Sequence, residues 1–144
     1  MSNSWKSIFT VPSAAAAGYP VETAAADLFT WIIEHPIRVT DVELVVSVLV
    51  ASDTQGSVVA LDGTIAGHPN GSTRQELGTV TLVEGDAVGS TRSMVDEDTT
   101  WVTADFSKGD TLFVQMVTAA TDSGTVAGDF HINIYYELVP DGKV

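Results

Sequence analysis

Cysteine is absent from this chain of 144 residues. That absence removes disulfide bridges, thiolate metal ligands and a thiol nucleophile together, and leaves the redox compartment undetermined. Stability has to come from packing or from neighbouring chains. Basic residues are scarce: six Lys and Arg stand against 19 Asp and Glu, for a formal net charge of −13. The six, Lys6, Arg38, Arg74, Arg92, Lys108 and Lys143, form no cluster in sequence, so a phosphate backbone meets repulsion and nucleic acid is a poor partner. The acids are scattered too. An ordinary solubility charge, a specific basic partner and a halophilic or marine source all accommodate them. Long apolar runs are also missing. None approaches the roughly 18 residues that span a bilayer. Met1-Ser2-Asn3-Ser4-Trp5-Lys6 has no basic stretch leading into an apolar one, so the expectation is a soluble, unprocessed chain without membrane contact.

What is present is apolar and β-branched. Hydrophobic residues make up 44% and charged residues 17%, which excludes a disordered chain. Area scaling gives a chain of this size about 7,000 Å² of folded surface against about 22,000 Å² unfolded, enough to bury one full core. No internal repeat and no composition break divides the chain. Residues 12 to 27 are small and low in complexity, interrupted by Pro12, Gly18 and Pro20. With no large apolar face to bury, they read as an Ala-rich arm. The expected organisation is an arm over residues 1–27 and a β-sandwich over residues 28–144. Trp5, Ile8, Phe9 and Val11 form a short strand, placed either in the chain's own sheet or on a neighbour's edge.

The clearest strand is Phe130 to Leu138, where Phe130, Ile132, Ile134, Tyr136 and Leu138 alternate with His131, Asn133, Tyr135 and Glu137. That is the period of a strand with one buried face. Phe29, Trp31 and Ile33 share one parity, although the nearly continuous apolar residues up to Pro36 also admit a helix. Val42, Leu44, Val46, Val48 and Val50 alternate in a β-branched run. Asp53 to Gly56 reads as a turn, Ser57 to Leu61 as a strand, Asp62-Gly63 as a strong turn signal, and Ala66 to Leu77 as an exposed loop. Thr79 to Val83, Val88 to Met94, Thr99 to Phe106 with Trp101 as an anchor, and Asp110 to Val117 complete about eight strands with no convincing long helix. That is the profile of a β-sandwich or barrel.

No catalytic signature accompanies the strands. His35, His68 and His131 have no second histidine at ligand spacing, and the His-x-His of a metal-binding jelly roll is missing. Asp96-Glu97-Asp98 offers calcium-type oxygens without an EF-hand register and reads as a solvated turn. There is no Gly-x-Ser-x-Gly elbow and no phosphate-binding Gly-x-x-x-x-Gly-Lys loop. Asn70-Gly71-Ser72 matches a glycosylation sequon that has meaning only in a secretory pathway, and it is read as a turn. Paired carboxylates remain open among so many acids, but nothing selects a pair. Catalytic, cofactor-binding and metal residues are therefore expected to be none.

The run Phe29-Thr30-Trp31-Ile32-Ile33-Glu34-His35-Pro36-Ile37-Arg38-Val39-Thr40-Asp41-Val42, taken with Lys108-Gly109-Asp110-Thr111-Leu112-Phe113-Val114 and the closing strand, resembles the small jelly-roll structural proteins of tailed bacteriophages, head-decoration proteins in particular. In such proteins an aromatic strand turns through a proline-bearing corner, and a Gly-Asp turn introduces a late strand. The resemblance covers residues 28 to 138. It implies a jelly-roll antiparallel sandwich and a cement or decoration subunit on the outer capsid surface of a virion. The partners it implies are the major capsid protein and further copies of the chain, a trimer being favoured, without catalysis or cofactor. The interface residues proposed from the sequence are Trp5, Ile8, Phe9, Pro12, Tyr19 and Pro20, with Val45 and Leu49 as further apolar surface. The alternative is a fibre or spike module whose 66 to 77 loop meets a host carbohydrate.

Overall fold

The computed structural model describes residues 6–13, 18–20, 26–51, 55–64, 75–83, 85–98, 104–118 and 127–139. In chain order the strands are β1 (Lys6–Thr10), β2 (Tyr19–Pro20), β3 (Ala26–Ile32), β4 (Ile37–Ala51), β5 (Gln55–Thr64), β6 (Gln75–Val83), β7 (Thr91–Ser93), β8 (Ala104–Phe106), β9 (Thr111–Thr118) and β10 (Ala127–Leu138). One helical turn, α1 (Met94–Glu97), lies between β7 and β8.

The strands form two antiparallel sheets. The first has the order β1-β10-β4-β7, with β2 added to β10 and β8 to β4; the second runs β3-β9-β5-β6. β1 and β2 lie along the same edge of β10, opposite residues 133–137 and 129–130, so together they serve as one interrupted edge strand. β7 and β8 divide an edge of β4 in the same way, with α1 between them. Counting each interrupted strand once leaves four per sheet among the described residues. Their pairing is nested: β1 with β10, β3 with β9, β4 with β7, β5 with β6. A chain that folds back on itself and then wraps in this order is a jelly roll.

The core follows the alternation. Val42, Leu44 and Val46 stand opposite Ile134, Ile132 and Phe130 in the β4–β10 ladder, and all six are buried. From the second sheet Leu77, Val80, Leu82, Leu112 and Val114 close over them, joined by Ile33, Met94 and Phe106. Each such side chain contributes about 1.5–3 kcal/mol by leaving water.

α1 is a polar corner holding the two sheets together. Ser93 caps it, accepting from the Asp96 N–H, while Met94 is fully buried. Asp41 on β4 accepts from Ser93 Oγ at 2.7 Å and from the Val95 N–H at 3.2 Å. Asp98 accepts from the N–H and Oγ1 of Thr79 on β6 at 2.7 and 3.1 Å. Arg92 donates twice to Asp86, both bonds at 2.6 Å, and to Glu97 at 3.1 Å. Asp86 leads in raising the Arg92 pKa, and the charge survives partial burial.

Several sequence expectations change here. Asp62-Gly63 is not a turn: both residues lie inside β5, just after a register shift, where a strand glycine marks a bulge. The 66–77 loop ends early, because Gln75 to Leu77 belong to β6 and Leu77 is buried; residues 65–74, including His68 and the sequon, lie outside the described residues. Val88 to Met94 yields only the three-residue β7, since Gly89 and Ser90 bond to Val46 across a turn and Met94 starts α1. Thr99 to Phe106 is described only as β8, with Trp101 outside the described residues. The acidic trio is a helix end in which the Glu97 and Asp98 carboxylates are bonded, to Arg92 and Thr79, while Asp96 is exposed. Of the 1–27 stretch, the described residues 6–13 and 18–20 are laid along β10 in the chain's own sheet, with Val11 in the core, whereas Ala26 and Asp27 open β3 of the second sheet, paired with β9.

Candidate functional site

At the end of the sandwich where β10 finishes, the turn between β3 and β4 forms a pinned corner. Gly109 N–H donates to the Ile33 carbonyl at 2.8 Å, Ile33 N–H to the Asp110 carbonyl at 2.9 Å, and Val139 N–H to the Pro36 carbonyl at 2.9 Å. Asp110, only 6% exposed, accepts from the Ser107 N–H at 2.7 Å and fixes the neighbouring turn. Gly109 takes a positive φ of 93° there, a conformation glycine adopts without strain.

Beside this corner lies a groove of about 410 Å³ between β1 and β10 of one sheet and β3 of the other. Its aromatic wall crosses the seam. Phe9 stacks on Trp31 with ring centroids 4.5 Å apart and planes at 19°, and Tyr136 meets Trp31 edge-on at 5.4 Å. Such contacts contribute about 0.5–1.5 kcal/mol each beyond area burial. They close the sandwich where β1 and β3 are the outermost strands of their sheets.

The groove's outer wall is left to solvent. Leu138 is 60% and Ile32 64% exposed. Leu138 therefore departs from the buried parity expected of it. Phe130, Ile132 and Ile134 are fully buried, Tyr136 is half-buried, and at Leu138 the opposing sheet no longer covers the strand. Glu34 and His35 are exposed on the rim, and Glu34 has no hydrogen bond or ion pair among the described residues.

A second hollow, of about 280 Å³, lies on the outer face of the first sheet among Thr40, Asp41, Glu43, Val95, Asp96 and Tyr135. Tyr135 donates to Glu43 at 3.1 Å. Burial, then the Glu43 hydrogen bond and the charges of Glu43 and Asp41, push its phenol above the ordinary range. Asp41 is occupied by Ser93 and two backbone N–H groups. Among the described residues no three His, Asp or Glu side chains converge as a metal site.

The interface residues expected from sequence are distributed as follows. Phe9 is in the groove wall, whereas Ile8, 58% exposed, lies opposite Tyr135 on the other face of β1. Tyr19 sits against Phe130, ring centroids 6.1 Å apart, and its hydroxyl donates to the carbonyl of exposed Pro12. Burial raises the Tyr19 pKa. Pro20 pairs with Asp129 in the β2 ladder, and Trp5 lies outside the described residues. Val45 is half-buried and Leu49 51% exposed. Of that set the structure places only Phe9 in the groove, and it joins Tyr19 to Pro12 elsewhere along β10. It adds Trp31, Tyr136 and Leu138, which the sequence assigned to the core through their parity. The available signal was the Pro36 corner, which ends the sandwich at their level. No family model matches the chain, and no curated protein or solved structure is significantly similar to it.

Proposed function

We propose that this chain is a structural protein of a bacteriophage particle, decorating or cementing the outer capsid surface by contacts with the major capsid protein and with copies of itself, in a trimer. The observation that best supports this reading is the groove at the β1–β3 edge. There Leu138 and Ile32 stay in water next to an aromatic wall, the makeup of a contact surface. Jelly rolls serve as capsid, lectin and cupin domains, so the fold alone does not choose among them. A net charge of −13 favours the outer face of a shell, away from packaged DNA.

The test is to purify particles, measure the stoichiometry of the chain and locate it by cryo-electron microscopy. Many copies on the outer shell are expected, and absence from particles overturns the reading. A second reading, a fibre or spike module for host carbohydrate, draws on Trp31 and Tyr136 beside the polar rim of Glu34 and His35. Phe9 already covers one face of Trp31, which weighs toward the first. Binding on a glycan array together with a low copy number per particle would favour the second.

A further inference from the structure

The groove at the sandwich edge has a composition that specifies its occupant. Its floor and walls are aromatic and aliphatic, its rim holds the unpaired carboxylate of Glu34, and the strands on either side, β1 and β3, each have a strand partner on one side only among the described residues. The two described arginines are already engaged inside the chain. Arg38 bonds Asp105 at 2.6 Å, and Arg92 bonds Asp86 and Glu97. A second copy of a chain with 19 acids and six bases therefore brings mostly repulsion and few uncommitted cations to the rim.

We infer that the groove binds an extended segment of a basic partner protein, in which an apolar or aromatic residue is followed by Lys or Arg. The apolar side chain packs against Trp31, Tyr136 and Leu138. The cation then reaches Glu34, and an Arg at that point also has the aromatic faces within its range. Edge strands are the places where an extended peptide finds unpaired backbone groups. The inference deepens the capsid-surface reading by giving the chemistry of the anchoring segment, and rests on that reading only for which protein supplies it.

The experiment is a fluorescence-anisotropy titration of the full chain with a short labelled peptide alternating Phe or Leu with Arg or Lys, and with the same peptide carrying Glu in place of each cation. Saturable binding of the cationic peptide is expected, about tenfold or more tighter than the acidic one. Glu34→Lys should weaken it by about tenfold and Leu138→Ser by several-fold, whereas Asp96→Lys, in the other hollow, should leave it nearly unchanged. Leu138 and Glu34 are both exposed, so these variants fold. Equal losses for Glu34→Lys and Asp96→Lys would mean diffuse attraction to an acidic protein and overturn the inference. So would equal binding of the acidic peptide, no binding of either, or binding seen only after deleting residues 1–5. A dimer in sedimentation that Leu138→Ser dissolves would assign the groove to a second copy instead. Peptide binding in solution without attachment to particles would leave the groove's chemistry standing and remove the capsid reading.

Discussion

Gly18 shows how closely the chain's beginning is laid on its end. Its φ is 103°, and a Cβ built there collides with the carbonyl oxygen of Phe130 on β10. Gly85 has a φ of 90° with nothing within 4 Å of such a Cβ. Alanine at Gly85 meets only the left-handed backbone cost, about 1–2 kcal/mol. Gly18→Ala adds a backbone displacement to that cost and should lose distinctly more, read as the difference between the two variants in urea unfolding. Equal losses would mean that the segment before β2 does not press on β10. Tyr135 allows a second test at this scale. Its phenol is pushed up in the folded state, so unfolding releases the proton at lower pH, near the ordinary value of about 10. The stabilisation of the neutral form is complete below that pH and is lost as pH rises through the folded-state value. Urea midpoints should therefore fall on raising pH from about 9 to about 11, less steeply in Tyr135→Phe than in the parent. Identical slopes would remove Tyr135 as a contributor.

Among the elements, the short polar pieces matter as much as the long strands. β7 and α1 have few residues to bury, and Arg92 holds them by bonds to Asp86 and Glu97, with the Asp86 side chain only 10% exposed. Arg92→Met takes both guanidinium donors from Asp86 and the one from Glu97 in a partly buried site, at a cost of about 1–3 kcal/mol. That lowers the melting temperature by about 2–4 °C per kcal/mol for a domain of nearly this size. Arg38→Met, which breaks the exposed pair with Asp105, should change little, because water screens such pairs. A calorimetric scan of both variants checks the contrast. The same division marks what the sequence reveals. Phe130 to Ile134, Val42 to Val46 and Phe29 to Ile33 are legible because a strand with one covered face must alternate. α1 is not, since four residues show no period, although Ser93 three residues before Asp96 is a cap signal. Asp62-Gly63 satisfies a hairpin turn and a bulge equally well, and only the pairing with β6 and β9 decides between them. The groove is illegible for a related reason. Tyr136 and Leu138 share the parity of Ile134, and nothing within their own strand says where the opposite sheet stops; that signal lies about a hundred residues away, at the Pro36 corner. The nested strand order likewise depends on contacts between distant segments, which leave no trace in any short window.

At the scale of the whole molecule, the net charge of −13 acts on folding and on attachment with opposite signs. Within the chain, the excess of like charges repels itself in the compact state, and salt screens that repulsion over a Debye length of about 10 Å at 0.1 M and about 3 Å at 1 M. The melting temperature should therefore rise as sodium chloride is added. Between the chain and a basic anchoring segment, the same screening weakens attraction, above all at the exposed rim where Glu34 stands. Attachment to particles, or binding of the cationic peptide, should accordingly fall over the salt range in which the melting temperature climbs. The two curves measured on one preparation separate the alternatives without mutation. If attachment strengthens with salt alongside stability, repulsion dominates at the contact and the partner is not basic. If attachment is flat while stability rises, the contact is apolar, Leu138 and Ile32 bind without help from Glu34, and only the apolar half of the proposed recognition survives.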